Sequence, residues 1–140
     1  MKIKIKEIIP GCMPEKLEVG DWIDLKTAED ITLKPFEYKL IPLGVAMELP
    51  DGYEAYVVPR SSTFSKWGIL LANSYGVIDN SYNGDTDQWG FPAYSTISVF
   101  IPKGTRICQF RIHEKQPDIE FEKVDSLGNT SRGGFGSTGD

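Results

Sequence analysis

Four short segments of the chain carry side chains that suit chemistry on a phosphorylated ligand. The first is Pro59-Arg60-Ser61-Ser62, in which the guanidinium of Arg60 can donate a planar pair of hydrogen bonds to phosphate oxygens. Ser61 and Ser62 add hydroxyl groups, and a helix predicted directly after them adds free backbone N–H groups. The alternative, on this segment alone, is a capped helix beside a solvated arginine.

The second segment, Gly76 to Gly84, places Asp79 directly after the apolar Ile78 and three residues before Tyr82. A carboxylate at the rim of a β-hairpin could hold and deprotonate a water molecule. Asn83-Gly84 is a strong tight-turn signal and predicts such a hairpin. The alternative, which spacing alone favours, is an ordinary turn aspartate beside a packed tyrosine.

The third and fourth segments are a predicted strand with one glutamine and the C-terminal stretch. The amide of Gln109 lies among apolar residues and needs a partner, which could be a ligand, a backbone group or water. The last stretch combines Arg132, Phe135, Ser137 and Thr138 with glycines that allow close backbone approach. Such a segment could close over a nucleotide, although its composition alone also fits a disordered tail.

Predicted β-strands dominate the elements that must position these side chains. Alternating or apolar runs predict strands over residues 3–9, 31–33, 38–43, 45–49, 53–58, 96–101, 106–112 and 119–124, with prolines and glycines between them. One short helix is predicted within Ser61–Gly68, which offers serines at its start and a glycine at its end. Many short strands separated by turns indicate an all-β barrel or sandwich.

Length and charge limit the classes of protein to consider. The chain has 140 residues, room for one domain, and carries 15 Lys and Arg against 20 Asp and Glu, a formal net charge of −5. An acidic balance argues against general nucleic-acid binding, which needs a basic face. No apolar run reaches the roughly 20 residues of a membrane-spanning helix, and the N-terminus lacks the apolar core of a signal peptide. We therefore expect a cytoplasmic protein with neither nucleic acid nor membrane as a partner.

Residues that could ligate a metal are scattered along the chain. Cys12, Cys108 and the single His113 have neither metal-ligand spacing nor the pattern of a disulfide framework. A G-x-G-x-x-G match from Gly134 to Gly139 lacks the following helix that a dinucleotide-binding unit requires. The sequence therefore predicts no dedicated metal cluster and no dinucleotide fold.

The order of the motifs resembles that of the trimeric dUTP pyrophosphatase (dUTPase) family, from about Asp24 to Gly139. Trp22 and Ile23 stand where the first motif of that family usually has small residues. The matching motifs are Asp24-Leu25, Pro59-Arg60-Ser61-Ser62, Asn73 to Gly84 as Asn-x-x-Gly-x-Ile-Asp-x-x-Tyr-x-Gly, Gly104-x-Arg106-Ile107-x-Gln109, and Arg132 to Gly139.

The resemblance implies a fold and an assembly. The fold would be a jelly-roll-like β-barrel with one short helix, over residues 1–126, followed by a mobile glycine-rich lid over residues 127–140. The assembly would be a homotrimer with shared active sites, in which the tail of one chain closes a site on another. This would account for a tail that lacks core residues.

The resemblance also implies an enzyme, a dUTP diphosphatase that hydrolyses dUTP to dUMP and pyrophosphate. Such an enzyme limits uracil in DNA and supplies dUMP for dTMP synthesis. Mg²⁺ would ride on the triphosphate, held mainly by phosphate oxygens and water. Asp79 is similar to the general base that activates water for attack on the α-phosphorus, and Asp24 would support the site from behind.

The same resemblance assigns the substrate-binding residues. Tyr82 is similar to the ring that packs beneath the deoxyribose and leaves no space for a 2′-hydroxyl. The remaining assignments are Asn73, Gly76 and Ile78 in the uracil pocket, Arg60, Ser61, Ser62 and Gln109 on the phosphates, Arg132, Gly136, Ser137 and Thr138 in the clamp on the terminal phosphate, and Phe135 as a lid that stacks on uracil.

Three alternatives stay open at this point. A dCTP deaminase of the same superfamily would need a catalytic glutamate near the base and would release ammonia, whereas Ile78-Asp79-x-x-Tyr82 favours a dUTPase. A phage-encoded dUTPase could also bind a regulatory protein. A structural β domain without activity would leave the motifs unexplained. Trp89 and Phe91, which follow the third motif, are expected in the core or an interface.

Overall fold

The computed structural model describes residues 1–139 and confirms an all-β fold with one short helix. Every strand pair is antiparallel, so short connections suffice to join neighbouring strands. The elements are β1 (Lys4–Glu7), β2 (Ile23–Lys26), β3 (Ile31–Leu33), β4 (Tyr38–Pro42), β5 (Val45–Glu48), β6 (Tyr53–Pro59), α1 (Thr63–Trp67), β7 (Ile69–Leu71), β8 (Gly76–Ile78), β9 (Gly90–Ser95), β10 (Val99–Ile101) and β11 (Arg106–Glu114).

Four small sheets enclose one core. The largest has the strand order β2-β11-β6-β8, a second has the order β4-β9-β7, and the pairs β1-β5 and β3-β10 complete the barrel. The long strand β11 pairs with β2 on one side and with β6 on the other. This sheet carries three of the four segments singled out above, either on its strands or directly after them.

Large side chains fill the barrel, and two of them lie just after the third motif. Trp89 and Phe91 are 1% and 0% exposed, which confirms their expected place in the core. The Trp89 ring meets Phe110 edge to face at 5.2 Å between centroids, a favourable aromatic geometry. Cys12 and Cys108 are buried free thiols. Within the part of the chain described, no helix is long and apolar enough to cross a membrane.

The helix forms where it was predicted, but Ser62 occupies the N-cap position without a side-chain hydrogen bond. Thr63, the first helical residue, instead joins the helix to its neighbours. Its Oγ1 accepts a hydrogen bond from Arg60 N at 2.8 Å and donates one to the Ile107 carbonyl at 2.6 Å. The helix ends at Gly68, which has a φ of 65° and donates its N–H to a carbonyl of the last turn.

Two other predictions about elements are wrong. Strand β8 ends at Ile78 and pairs with the earlier β6, so residues 79–89 form a loop rather than the return strand of a hairpin. Residues 119–124 alternate as a strand would, yet they lie beyond the end of β11 at Glu114 and no strand of the subunit pairs with them. A strand needs a partner edge, and here the same chain supplies none over its described length. The predicted division of the chain at residue 126 stays a prediction.

Candidate active site

The first cluster of motif residues forms where β2, β6 and β11 end or cross. Gln109 of β11 lies opposite Asp24 of β2 and opposite Val58 of β6, and Arg60 follows β6 directly. Arg60 Nε lies 3.2 Å from Asp24 Oδ2, and Arg106 Nη1 lies 3.4 Å from the same oxygen. The sheet therefore brings together residues from the first, second and fourth motifs.

A buried carboxylate holds two arginines in this cluster. The side chain of Asp24 is 4% exposed, whereas those of Arg60 and Arg106 are 26% and 35% exposed. Asp24 Oδ2 accepts no well-directed hydrogen bond, so charge and enclosure hold the guanidinium groups near it. Each arginine thus keeps a face toward solvent, where it can bind an anion such as a phosphate oxygen.

Two further contacts set the direction of Arg60. Its Nη1 donates a hydrogen bond to the Arg106 carbonyl at 3.3 Å, and its backbone N–H donates to Thr63 at 2.8 Å. Glu15 lies 3.4 Å from Arg106 Nη1 and extends the chain of charges. Sequence reasoning missed Thr63 and Glu15, since Glu15 belongs to no motif and lies far from Arg106 along the chain.

The question of what Gln109 binds has an answer within the subunit. Its Nε2 donates a hydrogen bond to the Pro59 carbonyl at 3.2 Å, so a backbone group satisfies it. The side chain is half-buried beside the segment that carries Arg60. Ser61 is exposed and Ser62 is half-buried at the same edge. These three residues therefore border the cationic cluster, and their binding of phosphate stays a prediction.

We expect Asp24→Asn to lower the free energy of unfolding by roughly 1–3 kcal/mol, because two guanidinium groups lose their counter-ion. The loss stays below that of a fully buried pair because both arginines are partly exposed to solvent. Urea denaturation measures it. Glu29→Gln is the matched control, since that carboxylate pairs with Lys39 at 3.4 Å on the surface and should contribute little. Equal effects of the two substitutions would contradict this role of Asp24.

The second cluster lies in the loop after β8 and contains the candidate base. Asp79 is exposed, and its Oδ1 accepts hydrogen bonds from Ser81 N at 2.7 Å and from Ser81 Oγ at 2.6 Å. These bonds lower the pKa of the Asp79 carboxyl below its ordinary value, because they stabilise the charged form. Asp79 is therefore an ionised carboxylate at neutral pH, as a general base must be.

Two side chains that follow Asp79 hold this loop, Asn80 against the turn before β6 and Tyr82 across the loop itself. Asn80 Nδ2 donates hydrogen bonds to the carbonyls of Leu49 and Pro50, each at 3.0 Å. Tyr82 donates its hydroxyl to the Gln88 carbonyl at 2.9 Å. These contacts fix a loop that has no strand partner of its own.

The Tyr82 ring borders a surface cavity of about 320 Å³, which is also lined by Leu40, Pro42 and Gly90. The three residues assigned to a uracil pocket lie on the N-terminal side of this loop. Asn73 is exposed between β7 and β8, while Gly76 and Ile78 are the ends of β8 and are half-buried. Within the subunit Tyr82 borders this cavity, whereas Asn73, Gly76 and Ile78 are not among the residues that line it.

The two clusters lie at opposite ends of β6. Gly76 pairs with Val57 and Ile78 pairs with Ala55, so β8 carries Asp79 toward the start of β6 while Arg60 follows its end. The interval of about six extended residues corresponds to roughly 20 Å. One subunit therefore does not bring Asp79 within reach of a phosphate that is bound at Arg60.

The C-terminal segment contributes no buried residue to the subunit over its described length. All described residues after β11 are exposed, and the Phe135 side chain is fully exposed with a φ of 50°. Two turns shape the motif: Ser137 N donates to the Gly134 carbonyl and Gly139 N donates to the Gly136 carbonyl. Arg132 and Thr138 share this exposure. The segment therefore presents its functional groups to solvent within the subunit.

Comparison with known proteins gives consistent matches over nearly the whole chain. The sequence model of the dUTPase family matches residues 21–139. An SPβ prophage-derived deoxyuridine 5′-triphosphate nucleotidohydrolase of Bacillus subtilis is 58% identical over 140 residues and covers 99% of both chains. A deoxyuridine 5′-triphosphate nucleotidohydrolase of Finegoldia magna is 41% identical over 144 residues, again with 99% of both chains covered. The dUTPase of Staphylococcus bacteriophage 80alpha with dUpNHpp superposes with a TM-score of 0.84 at 24% identity, covering 99% of both chains.

Proposed function

The chain belongs to the dUTPase family, and we propose that it hydrolyses dUTP with groups that different subunits contribute to one site. The products are dUMP and pyrophosphate, as for a dUTP diphosphatase. The observation that carries the proposal is the position of Asp79 and Arg60 at opposite ends of β6. Each subunit presents Asp79 at one end of β6 and Arg60 at the other, so a second copy must supply the group that each end lacks.

The proposed assembly is a closed ring of three identical subunits. A contact between one end of β6 and the other end in a neighbour is head-to-tail, and such contacts close only as rings or continue as filaments. The exposed residues 115–131, which follow β11, support further contacts between copies, since Ile119 and Phe121 are 56% and 93% exposed within the subunit. Burial of these side chains against a neighbour would remove apolar surface from water. The lid residues Arg132 to Thr138 then lie within reach of a site that two other copies form.

In the proposed reaction, Asp79 accepts a proton from a water molecule as the water oxygen attacks the α-phosphorus. The bond between the α-phosphorus and the bridging oxygen breaks, and pyrophosphate leaves. Arg60, with Gln109, Ser61 and Ser62 beside it, binds the phosphate chain of the substrate and offsets the charge that develops on it. The Asp24 carboxylate behind Arg60 keeps the guanidinium in place before the substrate binds.

The donor groups at the site fit a divalent ion that is carried mainly by the substrate. Among residues 1–139, no three His, Cys, Asp or Glu side chains converge to form a protein cage. Asp24 is buried against two arginines, so its carboxylate is already engaged. A Mg²⁺ ion on the triphosphate would keep oxygen ligands from phosphate and water, the ligands it prefers. When bound, it would neutralise phosphate charge that the acidic protein would otherwise repel.

The proposed recognition of base and sugar rests on the third and fifth motifs. The Tyr82 ring, held by its hydroxyl bond to Gln88, forms a wall against which a deoxyribose can pack. Asn73, Gly76 and Ile78 would read the uracil edge. Gly76 already approaches β6 closely, since a Cβ atom there would lie 3.3 Å from Val57 Cβ. Phe135, with Gly136 beside it, would stack over the base and cover apolar surface that is now fully exposed.

Incubation with each deoxynucleoside triphosphate and with UTP, in the presence of Mg²⁺, tests this function. We expect pyrophosphate from dUTP at a rate at least about a hundredfold above that from dTTP, dCTP or UTP, because a tight pocket rejects a methyl, amino or hydroxyl group. Pyrophosphate and ammonia are measured in the same reactions. Ammonia from dCTP would instead support a deaminase and overturn the proposal. Equal rates with all substrates would refute the assigned selectivity.

A regulatory protein partner and a cytoplasmic location stay predictions. The Bacillus subtilis relative is prophage-derived, and phage dUTPases superpose on this chain, which is the reason to test for a partner. The test compares proteins retained by the dUTP-analogue-loaded enzyme with those retained by the free enzyme. Identical retained proteins would argue against a nucleotide-controlled partner.

A further inference from the structure

We infer that Ser81 is a positioning residue for Asp79. Ser81 binds one oxygen of the Asp79 carboxylate and leaves the other oxygen to take the proton from water. The inference rests on the function proposed above and deepens it. The position of Ser81 within the third motif is not among the residues to which the family resemblance assigns a role.

The geometry separates the two oxygens of the carboxylate. Ser81 donates both its backbone N–H, at 2.7 Å, and its hydroxyl, at 2.6 Å, to Asp79 Oδ1. Over the described residues 1–139, the Asp79 carboxylate forms no ion pair, and the charge of Lys115 adds a smaller effect that also lowers its pKa. Two donors on Oδ1 restrain the rotamer of the exposed side chain, and among the described residues no donor bonds to Oδ2.

The residues that follow Asp79 also hold the backbone of the loop. Tyr82 N donates to the Asp79 carbonyl at 3.0 Å, and the neighbouring Asn80 amide donates to two carbonyls of the turn before β6. The Asp79 carboxylate is therefore attached to a loop whose backbone is held by hydrogen bonds, and Ser81 restricts the remaining rotation of the Asp79 side chain. A base that is fixed before the substrate arrives loses no rotational entropy in the reaction.

The bond pattern also sets the protonation state that the reaction needs. Hydrogen bonds from Ser81 stabilise the charged form and lower the pKa of Asp79. The carboxylate thus stays ionised as the pH falls, until the lowered pKa is reached. During attack, the water oxygen bonds to the α-phosphorus, the water proton passes to Oδ2, and the electron pair of the breaking bond leaves with pyrophosphate.

The test compares Ser81→Ala with Ser81→Thr in the full-length protein. Alanine removes the hydroxyl donor, whereas threonine retains it. We expect Ser81→Ala to lower kcat about tenfold with little change in KM, because the substrate contacts are intact and only the base is less well placed. In Ser81→Ala, a carbon-13 NMR titration should show the pKa of the Asp79 carboxyl rising toward its ordinary value. The acid limb of the pH profile of kcat should shift to higher pH by the same cause. Threonine should restore both.

The outcomes separate this inference from the function on which it rests. An unchanged Asp79 pKa in Ser81→Ala, or a loss that threonine fails to restore, overturns the positioning role. The NMR titration reads the carboxyl directly and does not depend on turnover. If Asp79→Asn is inactive while Ser81→Ala behaves as wild type, the base assignment stands and only the role of Ser81 falls. If Asp79→Asn remains active, the proposed mechanism itself fails.

Discussion

Asp79→Asn should lower kcat for dUTP by about 10²–10⁴-fold, the usual contribution of a positioned general base. The amide cannot accept the proton of the attacking water, while the exposed loop and the barrel beneath it lose no packing. We therefore expect normal folding, and binding of a non-hydrolysable dUTP analogue should persist. Steady-state kinetics and calorimetric binding of the analogue measure the two effects. Asp85→Asn is the matched control, since it removes an exposed carboxylate from the same loop, 3.9 Å from Lys6.

The same variant tests whether a site is shared between subunits. Arg60→Ala and Asp79→Asn should each be nearly inactive alone, because every site lacks one group. Mixed oligomers, formed by unfolding and refolding the two proteins together, should regain part of the activity. In such an oligomer, some sites combine the intact Asp79 of one chain with the intact Arg60 of another. A mixture that stays as inactive as its components would mean that both groups act within one chain, against the separation of roughly 20 Å along β6.

Removal of residues 132–140 should lower kcat/KM by about 10²–10³-fold and leave folding and assembly unchanged. The described residues of this segment are all exposed, so we expect their loss to cost the barrel little buried surface. Catalysis suffers because Arg132, Ser137 and Thr138 no longer bind phosphate charge and the site stays open to water. Kinetics measure the first effect, and circular dichroism with sedimentation measures the second.

Phe135→Ala separates the two roles of this segment. It removes the stacking ring but leaves Arg132 and the hydroxyls, so we expect a loss of only about fivefold to tenfold, mostly in KM. If turnover is unchanged after deletion of residues 132–140, this segment does not act as a lid over the site. If the deletion dissociates the oligomer, then residues 132–140, rather than residues 115–131 before them, hold the copies together.

Several features of the fold followed from local pattern and were confirmed. Short runs of apolar residues identified β5, β6 and β11, and each of these strands places buried residues in the core. Three other strands escaped notice: β2, β7 and β9. β9 begins with Gly90-Phe91-Pro92, and glycine and proline are typical of turns rather than strands. Ser62 stands at the predicted N-cap but makes no side-chain hydrogen bond, and the neighbouring Thr63 bonds to the Ile107 carbonyl, 44 residues away along the chain.

The predicted strand over residues 119–124 shows a limit of pattern alone. Its alternation describes a surface with one apolar side, but a strand also requires an edge to pair with. Within the subunit no such edge meets it, and Ile119 and Phe121 remain exposed. The pattern is thus compatible with a partner on another copy, which only an assembly can reveal.

The amino-acid sequence by itself determined the chemical inventory: one candidate carboxylate base, arginines, a glutamine and hydroxyls for phosphates, and a glycine-rich tail with one aromatic ring. These follow from residue types and their order, which do not depend on how the chain turns. Only the tertiary structure decided which of these groups meet. The antiparallel register of β6 with β8 and β11 joins Arg60, Asp24 and Gln109 at one end and sends Asp79 to the other. Hydrogen-bonded pairing between distant segments sets that register, and no local pattern contains it.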